Sequence, residues 1–215
     1  MSKKVVIIDY QLGNLFSVKQ ACEYLGHAAI ISTSPEELLA ADYAILPGVG
    51  AFADAMQNLG AFGLTSALHE YVKKGKPLMG VCLGLQLLLS ESEEFGSTKG
   101  LDLIPGKVKK FPVQVVNEST YKVPQIQWNT ISEPVKGKWE NTPLQYCKPG
   151  DYMYFVHSFY AQPADDKFVL SRTMYGRREY CSAVIKDNVF ATQFHPEKSG
   201  LYGVNIYKEW FALFN

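Results

Sequence analysis

The first hundred residues alternate short apolar runs with helical stretches, and this alternation limits the fold more than any other feature. Strands are predicted at four apolar runs, residues 5–8, 28–31, 43–46 and 77–81. Helices are predicted over 15–25, 35–40 and 51–74, the last broken near Gly60 and Gly63. Such alternation builds a parallel sheet, and strands without polar alternation suit a sheet covered on both faces.

After about Gly100 the pattern changes to short runs rich in β-branched and aromatic residues. Strands are predicted at 107–111, 125–131, 152–156, 168–174, 182–185 and 189–194. Antiparallel hairpins are expected here, one of them turning at Lys186-Asp187-Asn188, and a final helix from about Ser199 to Phe214. Segments 117–121 and 134–141 are predicted to be surface loops. We expect a single domain over 1–215 with an α/β fold, a mostly parallel central sheet flanked by helices and an antiparallel β extension.

The composition excludes several classes of protein. A chain of 215 residues that is 47% hydrophobic can bury a full core. Lys plus Arg and Asp plus Glu both number 21, so charge gives no argument for nucleic acid or an anionic membrane as a partner. The chain has no apolar run of about 18 residues, no signal peptide pattern and no cysteine spacing typical of a metal site. A cytoplasmic protein with reduced thiols is expected.

Gly80-Val81-Cys82-Leu83-Gly84 predicts a cysteine at the apex of a sharp turn between the strand at 77–81 and a helical run at 85–90. A nucleophile in such a tight turn needs small flanking residues, and a helix N-terminus behind the sulfur favours the thiolate. Gln86 lies one helical turn further on and could bind a polar substrate. The alternative is that Cys82 packs under the sheet and Gln86 is a solvated surface residue.

His195 and Glu197 follow the predicted strand at 189–194, at the edge where sheets present side chains to a crevice. A catalytic cysteine needs a nearby base, and that base needs a group that fixes its tautomer and stabilises its cation. The alternative makes His195 a turn residue and Glu197 an acid that faces a helix dipole. Their occurrence together with the cysteine turn favours the catalytic interpretation.

Pro47-Gly48-Val49-Gly50 follows the strand at 43–46 and is expected at the same sheet edge as Cys82. Gly48 and Gly50 let backbone N–H groups reorient freely. The N–H groups of Val49 and Leu83 are therefore predicted to stabilise the oxyanion of a tetrahedral intermediate. Most turns of this kind only reverse the chain, so the prediction depends on the neighbouring cysteine.

Several longer motifs resemble those of the class I glutamine amidotransferases and, within them, the glutaminase subunits of imidazole glycerol phosphate synthases. The resembling segments, which span nearly the whole chain, are 9–15, 46–50, 80–86, 100–106, 155–158 and 191–199. The resemblance implies the triad Cys82, His195 and Glu197. It also implies that L-glutamine is held near Gly50, Gln86 and the His157-Ser158 segment, and that the glutaminase step needs no cofactor.

A partner is also implied by the resemblance. In the family, a separate barrel-shaped cyclase subunit receives the ammonia and uses it on a phosphorylated ribulosyl aminoimidazole carboxamide nucleotide. The products are imidazole glycerol phosphate and aminoimidazole carboxamide ribotide, in histidine biosynthesis. The sequence departs from the family pattern at Gln11, Gln125 and Gln127, in segments that lie towards the subunit interface in the family. These departures put the partner's identity in doubt, not the glutaminase chemistry.

Three alternatives stay open from the sequence. The same chemistry could supply ammonia to a synthase that builds amidino sugars of surface polysaccharides. A free-standing γ-glutamyl cysteine hydrolase would work without a partner. A binding or regulatory module would have kept the fold and lost catalysis, which the intact cysteine, histidine and glutamate disfavour.

Overall fold

A computed structural model describes residues 3–112, 114–116 and 119–214 of the chain. A large mixed β-sheet forms the centre of the fold. Its parallel part and the first helices comprise β1 (Val5–Ile8), α1 (Leu15–Tyr24), β2 (Ala29–Ser32), α2 (Pro35–Ala40), β3 (Tyr43–Gly48), α3 (Phe52–Ala61), α4 (Leu64–Lys73), β4 (Leu78–Cys82) and α5 (Leu83–Leu87). The remaining elements are β5 (Glu91–Ser92), β6 (Thr98–Lys99), β7 (Gly106–Lys110), β8 (Gln114–Val116), β9 (Ser119–Tyr121), β10 (Gln125–Thr130), β11 (Tyr152–His157), β12 (Phe159–Pro163), β13 (Val169–Tyr175), β14 (Arg178–Lys186), β15 (Val189–Thr192) and α6 (Gly200–Leu213).

The strand order of the large sheet is β2-β1-β3-β4-β15-β14-β12-β7-β5-β6, with β13 beside β14. Neighbouring strands from β2 to β15 are parallel. Beyond β15 the pairs β15–β14, β14–β12 and β12–β7 are antiparallel. Separate antiparallel pairs are formed by β10 with β11 and by β8 with β9. The predicted α/β fold with a parallel centre and an antiparallel extension is confirmed.

Both faces of the parallel strands are buried, which explains their continuous apolar sequences. In β1, Val6 and Ile8 belong to the core layer that includes side chains of α2, α3 and α4. Val5 and Ile7 belong to the opposite layer, with Val18 of α1 and residues of α6. Because side chains alternate between the faces of a strand, a strand covered on both faces has no polar positions.

Several local predictions are confirmed. The helix predicted over 51–74 is divided into α3 and α4 at Gly63, which has a φ of 69°. The turn predicted at 186–188 joins β14 to β15, and Asp187 has a φ of 51°. The final helix closes the chain as expected.

The strand predicted at 182–185 extends over Arg178–Lys186 as β14, and β12 has no counterpart among the predicted strands. Two further predictions differ from the structure. The helical run predicted at 85–90 is the short helix α5, which starts directly after Cys82 and ends at Leu87. It ends early because the carbonyls of Leu87 and Leu88 accept hydrogen bonds from the backbone of 101–104. In the loop predicted at 117–121, residues 117 and 118 lie outside the described residues, and Ser119–Tyr121 form β9.

Two observations concern possible membrane and metal sites. No helix among the described residues is long and apolar enough to cross a membrane. Within the same residues, no group of three or more His, Cys, Asp or Glu side chains is placed to hold a metal ion.

Gly84 offers a test of how tightly α5 packs on β3. A Cβ at Gly84 would lie 1.8 Å from the carbonyl oxygen of Leu46, which is backbone and cannot move aside. We expect Gly84→Ala to lower the free energy of unfolding by at least about 2 kcal/mol, measured by urea denaturation.

Gly60→Ala is the matched control, because a Cβ at this helical position meets no atom within 4 Å. It should raise the stability by up to about 1 kcal/mol through the better helix propensity of alanine. Equal urea midpoints for Gly84→Ala and the wild type would contradict the close approach of α5 to β3.

Candidate active site

The carboxyl ends of β3, β4 and β15 meet at one edge of the sheet. Gly48 at the end of β3 pairs with Cys82 at the end of β4. On the other side of β4, Val81 pairs with Thr192, three residues before His195. The pairing of these three strands therefore brings together the segments in which the sequence predicts an oxyanion loop, a nucleophile and a base.

Cys82 occupies a strained turn between β4 and α5. Its φ is 56° and its ψ is −108°, a backbone conformation that is rare for a residue with a side chain. The turn is possible because its neighbours are small: a Cβ at Gly80 would lie 2.9 Å from Cβ of Ala191. The Leu83 N–H stands at the first helical position, where a helix leaves N–H groups without an intrahelical partner.

A buried pair is formed by His195 and Glu197. The distance from His195 Nδ1 to Glu197 Oε1 is 2.7 Å, and the two side chains are 2% and 1% exposed. A 3-10 turn at Pro196–Lys198 turns Glu197 back onto the ring, and Ser199 Oγ donates to the His195 carbonyl at 2.7 Å. A hydrogen bond from Nδ1 to the carboxylate leaves Nε2 as the nitrogen available to a reacting group.

Cys82 and Glu197 together control the charge of His195. Burial opposes the positive charge on the imidazole, but Cys82 and Glu197 favour it more strongly. The net effect raises the pKa of His195 above its ordinary value. At neutral pH this site therefore favours a protonated histidine beside the cysteine, which is the state from which a proton can be delivered to a leaving group.

A cleft of about 280 Å³ opens over Cys82. Its lining contains predicted site residues from separate elements, namely Val49, Gly50, Cys82, Leu83, Gln86, His157 and Ser158. Gly48 is not part of the lining and packs under the loop against Tyr10. His195 and Glu197 are also absent from the lining, because their side chains are almost completely buried.

The side-chain N–H groups of Gln86 and His157 form hydrogen bonds to other groups of the protein. Gln86 Nε2 donates to the Phe159 carbonyl at 3.0 Å and to Gln193 Oε1 at 3.1 Å. His157 Nδ1 lies 2.8 Å from the same Phe159 carbonyl, and burial lowers the pKa of His157 to about 4. His157 is thus neutral at physiological pH and donates from Nδ1.

The Val49 N–H group, one of the two predicted oxyanion donors, is already engaged in a hydrogen bond within the protein. It donates to the carbonyl of Leu12 at 3.2 Å. Gly50, on its far side, has a φ of 101°. A donor aimed at the cleft would require the peptide between Gly48 and Val49 to rotate, and the flanking glycines permit this at low steric cost.

Two residues that the sequence interpretation did not select contribute to the site. Glu94 lines the cleft, and its Oε2 accepts a hydrogen bond of 2.7 Å from the Phe52 N–H. Gln193 is completely buried, and its Nε2 lies 3.8 Å from Cys82 Sγ. Gln193 precedes His195 by two residues, and in an extended chain side chains with this spacing face the same side. This spacing could have indicated Gln193 from the sequence. Glu94 stands in a run of acids that resembles a solvated surface segment, so its sequence carries no comparable signal.

The fold and the site agree with a known class of enzyme. Residues 6–212 match the family model described as glutamine amidotransferase class-I, so the chain belongs to that family. Among solved structures, PurLQS from Thermotoga maritima is similar with a TM-score of 0.73 at 19% identity, over 99% of each chain, which shows the shared fold.

Closer relatives narrow the class to one kind of subunit. The imidazole glycerol phosphate synthase subunit HisH of Chlorobaculum tepidum is 43% identical over 207 residues, covering 96% of this chain and 98% of that protein. HisH of Moorella thermoacetica is 44% identical over 211 residues, covering 98% and 95% respectively. This chain is accordingly a glutamine amidotransferase enzyme subunit of the HisH type.

The charge coupling at the site can be tested by titration. In Cys82→Ala we expect the pKa of His195 to fall below its wild-type value, because the imidazolium loses the strongest of the neighbours that favour it. An NMR titration of the imidazole would measure the change. Cys147→Ala, which removes a thiol outside the cleft, should leave the titration unchanged; an unaltered His195 pKa in Cys82→Ala would contradict the coupling.

Proposed function

We propose that this chain hydrolyses L-glutamine to glutamate and ammonia through Cys82, His195 and Glu197, as the glutaminase subunit of an imidazole glycerol phosphate synthase in histidine biosynthesis. The observation that carries the catalytic assignment is the buried His195–Glu197 pair at 2.7 Å, next to a cysteine in a strained turn. The HisH relatives support the identity of the synthase. With this biosynthetic role we propose a cytoplasmic location.

The reaction follows from the charge state of the site. The Cys82 thiolate attacks the carboxamide carbon of glutamine and forms a tetrahedral oxyanion. Protonated His195 delivers its proton to the departing nitrogen, ammonia leaves, and a thioester remains on Cys82. Neutral His195 then takes a proton from water as the water attacks the thioester, and glutamate is released while the thiolate is restored. Glu197 holds the ring and stabilises its cation.

The cleft has groups suited to the amino-acid end of glutamine. We assign the Glu94 carboxylate to the substrate's α-ammonium group, because it is an acid in the cleft lining and the Phe52 N–H fixes it at 2.7 Å. Ser158 also lines the cleft and is assigned a direct contact. Gln86 and His157 use their N–H groups within the protein. Gln86 is therefore assigned a contact to the substrate as an acceptor through Oε1, and His157 shapes the cleft.

The oxyanion loop controls when the reaction proceeds. Leu83 offers one N–H beside Cys82, whereas Val49 is bound to Leu12 and supplies none until its peptide rotates. Removing one such donor from an amidase slows catalysis by roughly 10² to 10³. The chain alone is therefore a slow glutaminase, and a partner that favours the rotated peptide accelerates it without wasteful loss of glutamine.

The partner we assign is a barrel-shaped cyclase subunit, which forms a heterodimer with this chain and receives the ammonia. Ile126 and Trp128 on β10 are 59% and 49% exposed, and Pro124, just before β10, lines the cleft. Exposed apolar side chains of this kind beside a site mark a protein interface. Of the departures from the family pattern, Gln125 is completely buried, so it cannot alter a partner contact directly; Gln127 is exposed and can.

Stimulation by the partner can be measured directly. Glutamate release should be slow for the chain alone and should rise by at least about 10²-fold with a cyclase subunit and its aminoimidazole nucleotide. Comparable turnover in both conditions would contradict control by the oxyanion loop. A silent chain whose Cys82 still reacts with a glutamine-mimicking electrophile would indicate a different acceptor, such as an amidino-sugar synthase.

The nucleophile is tested in the assembled complex. Cys82→Ala should lower glutamine-dependent synthesis by at least about 10³-fold and leave ammonium-dependent synthesis by the partner intact, because only the ammonia source is lost. Cys147→Ala should retain both activities. Loss of the ammonium-dependent reaction in Cys82→Ala alone would mean that the substitution disturbs the partner.

A further inference from the structure

The hydroxyl of Tyr10 is buried beside the oxyanion loop without a hydrogen-bond partner. Tyr10 is 1% exposed, and no described residue bonds to its Oη. A Cβ at Gly48 would lie 1.8 Å from Oη, so the hydroxyl packs directly against this glycine. A buried hydroxyl without a hydrogen-bond partner lowers the stability of the fold, so a functional role is expected to offset this cost.

Tyr10 is also close to the reacting sulfur and keeps its proton there. Gly48 pairs with Cys82 across β3 and β4. Burial raises the pKa of Tyr10 well above its ordinary value, and the nearby Cys82 and Asp9 raise it further. The phenol therefore stays a neutral donor over the whole pH range in which the enzyme works.

Rotation of the Gly48–Val49 peptide creates a need for such a donor. In the structure, the Val49 N–H donates a hydrogen bond to the Leu12 carbonyl. When the peptide turns, the Gly48 carbonyl oxygen takes the place of the N–H and faces the Leu12 oxygen, so two acceptors meet. A carbonyl oxygen lies about 2.4 Å from its own Cα, which keeps it within reach of a hydroxyl that packs against Gly48.

We propose that the Tyr10 hydroxyl donates a hydrogen bond to the rotated Gly48 carbonyl and so stabilises the active orientation of the oxyanion loop. Tyr10 is then a positioning residue that acts through the Val49 N–H and never touches the substrate. The proposal deepens the glutaminase function proposed above and rests on it. It also accounts for the missing partner, since the bond exists only in the active orientation.

The expected effect is on turnover and not on binding. If the rotated orientation is the minor one in the chain alone, losing one neutral hydrogen bond lowers its population by about three- to tenfold. The kcat for glutamine should fall by that factor, while KM stays within about twofold because the contacts to the amino-acid end remain.

The test compares Tyr10→Phe with Tyr71→Phe in the complete chain without a partner. Tyr71 is fully buried on α4 and does not line the cleft, and its hydroxyl donates to the Pro77 carbonyl at 3.3 Å. Four quantities are measured: kcat and KM for glutamate release, the rate of Cys82 alkylation by iodoacetamide, and Tm. Alkylation forms no oxyanion and reports on the sulfur alone.

For Tyr10→Phe we expect a three- to tenfold lower kcat, an unchanged alkylation rate and a Tm no lower than that of the wild type. Tyr71→Phe should keep kcat within about twofold and show a lower Tm, because it loses an existing hydrogen bond. A kcat for Tyr10→Phe equal to that of the control would overturn the proposal. A parallel fall in alkylation would do so as well, since the hydroxyl would then act on the sulfur.

Failure of the proposed function would look different. It would appear as a wild-type chain whose glutamate release the cyclase subunit does not stimulate. The comparison of the two phenylalanine variants uses no partner, so its result stands apart from that outcome.

Discussion

The parallel pairing of β4 with β3 on one side and β15 on the other is the constraint on which the site depends. It aligns Gly48 with Cys82 and Val81 with Thr192, so that three segments distant in sequence end at one edge. The apolar layers on both faces of these strands fix the pairing, because a slip by one residue would exchange the two faces. The positions of the nucleophile, the histidine pair and the oxyanion loop are consequences of core packing.

Much of this could be predicted from the sequence, for identifiable reasons. The helix at Pro35–Ala40 and the strand at Val5–Ile8 have strong local patterns and agree with the structure. The three residues that we propose as the triad stand out in the sequence because glycines flank Cys82 and because His195 and Glu197 are two residues apart. Short-range chemistry of this kind is visible in the chain itself.

What could not be predicted depends on distant backbone contacts. The end of α5 at Leu87 results from hydrogen bonds to 101–104, which no local pattern reveals. The orientation of the Val49 N–H depends on the Leu12 carbonyl of another loop. Gln11, in that same loop, adopts a φ of 68°, a conformation that favours glycine, and its N–H bonds to the Asp9 carboxylate at 2.7 Å. That bond offsets part of a backbone strain of about 1 kcal/mol or more.

The hydrogen bond between Glu94 and the Phe52 N–H restrains the oxyanion loop. Phe52 opens α3 only three residues after Val49, so the carboxylate fastens the far end of the oxyanion loop to the body of the protein. The near end continues from β3 and is held by the sheet. Because both ends of the loop are fixed, rotation of the Gly48–Val49 peptide is confined to the loop. Helix α3 and the core need not repack when it occurs.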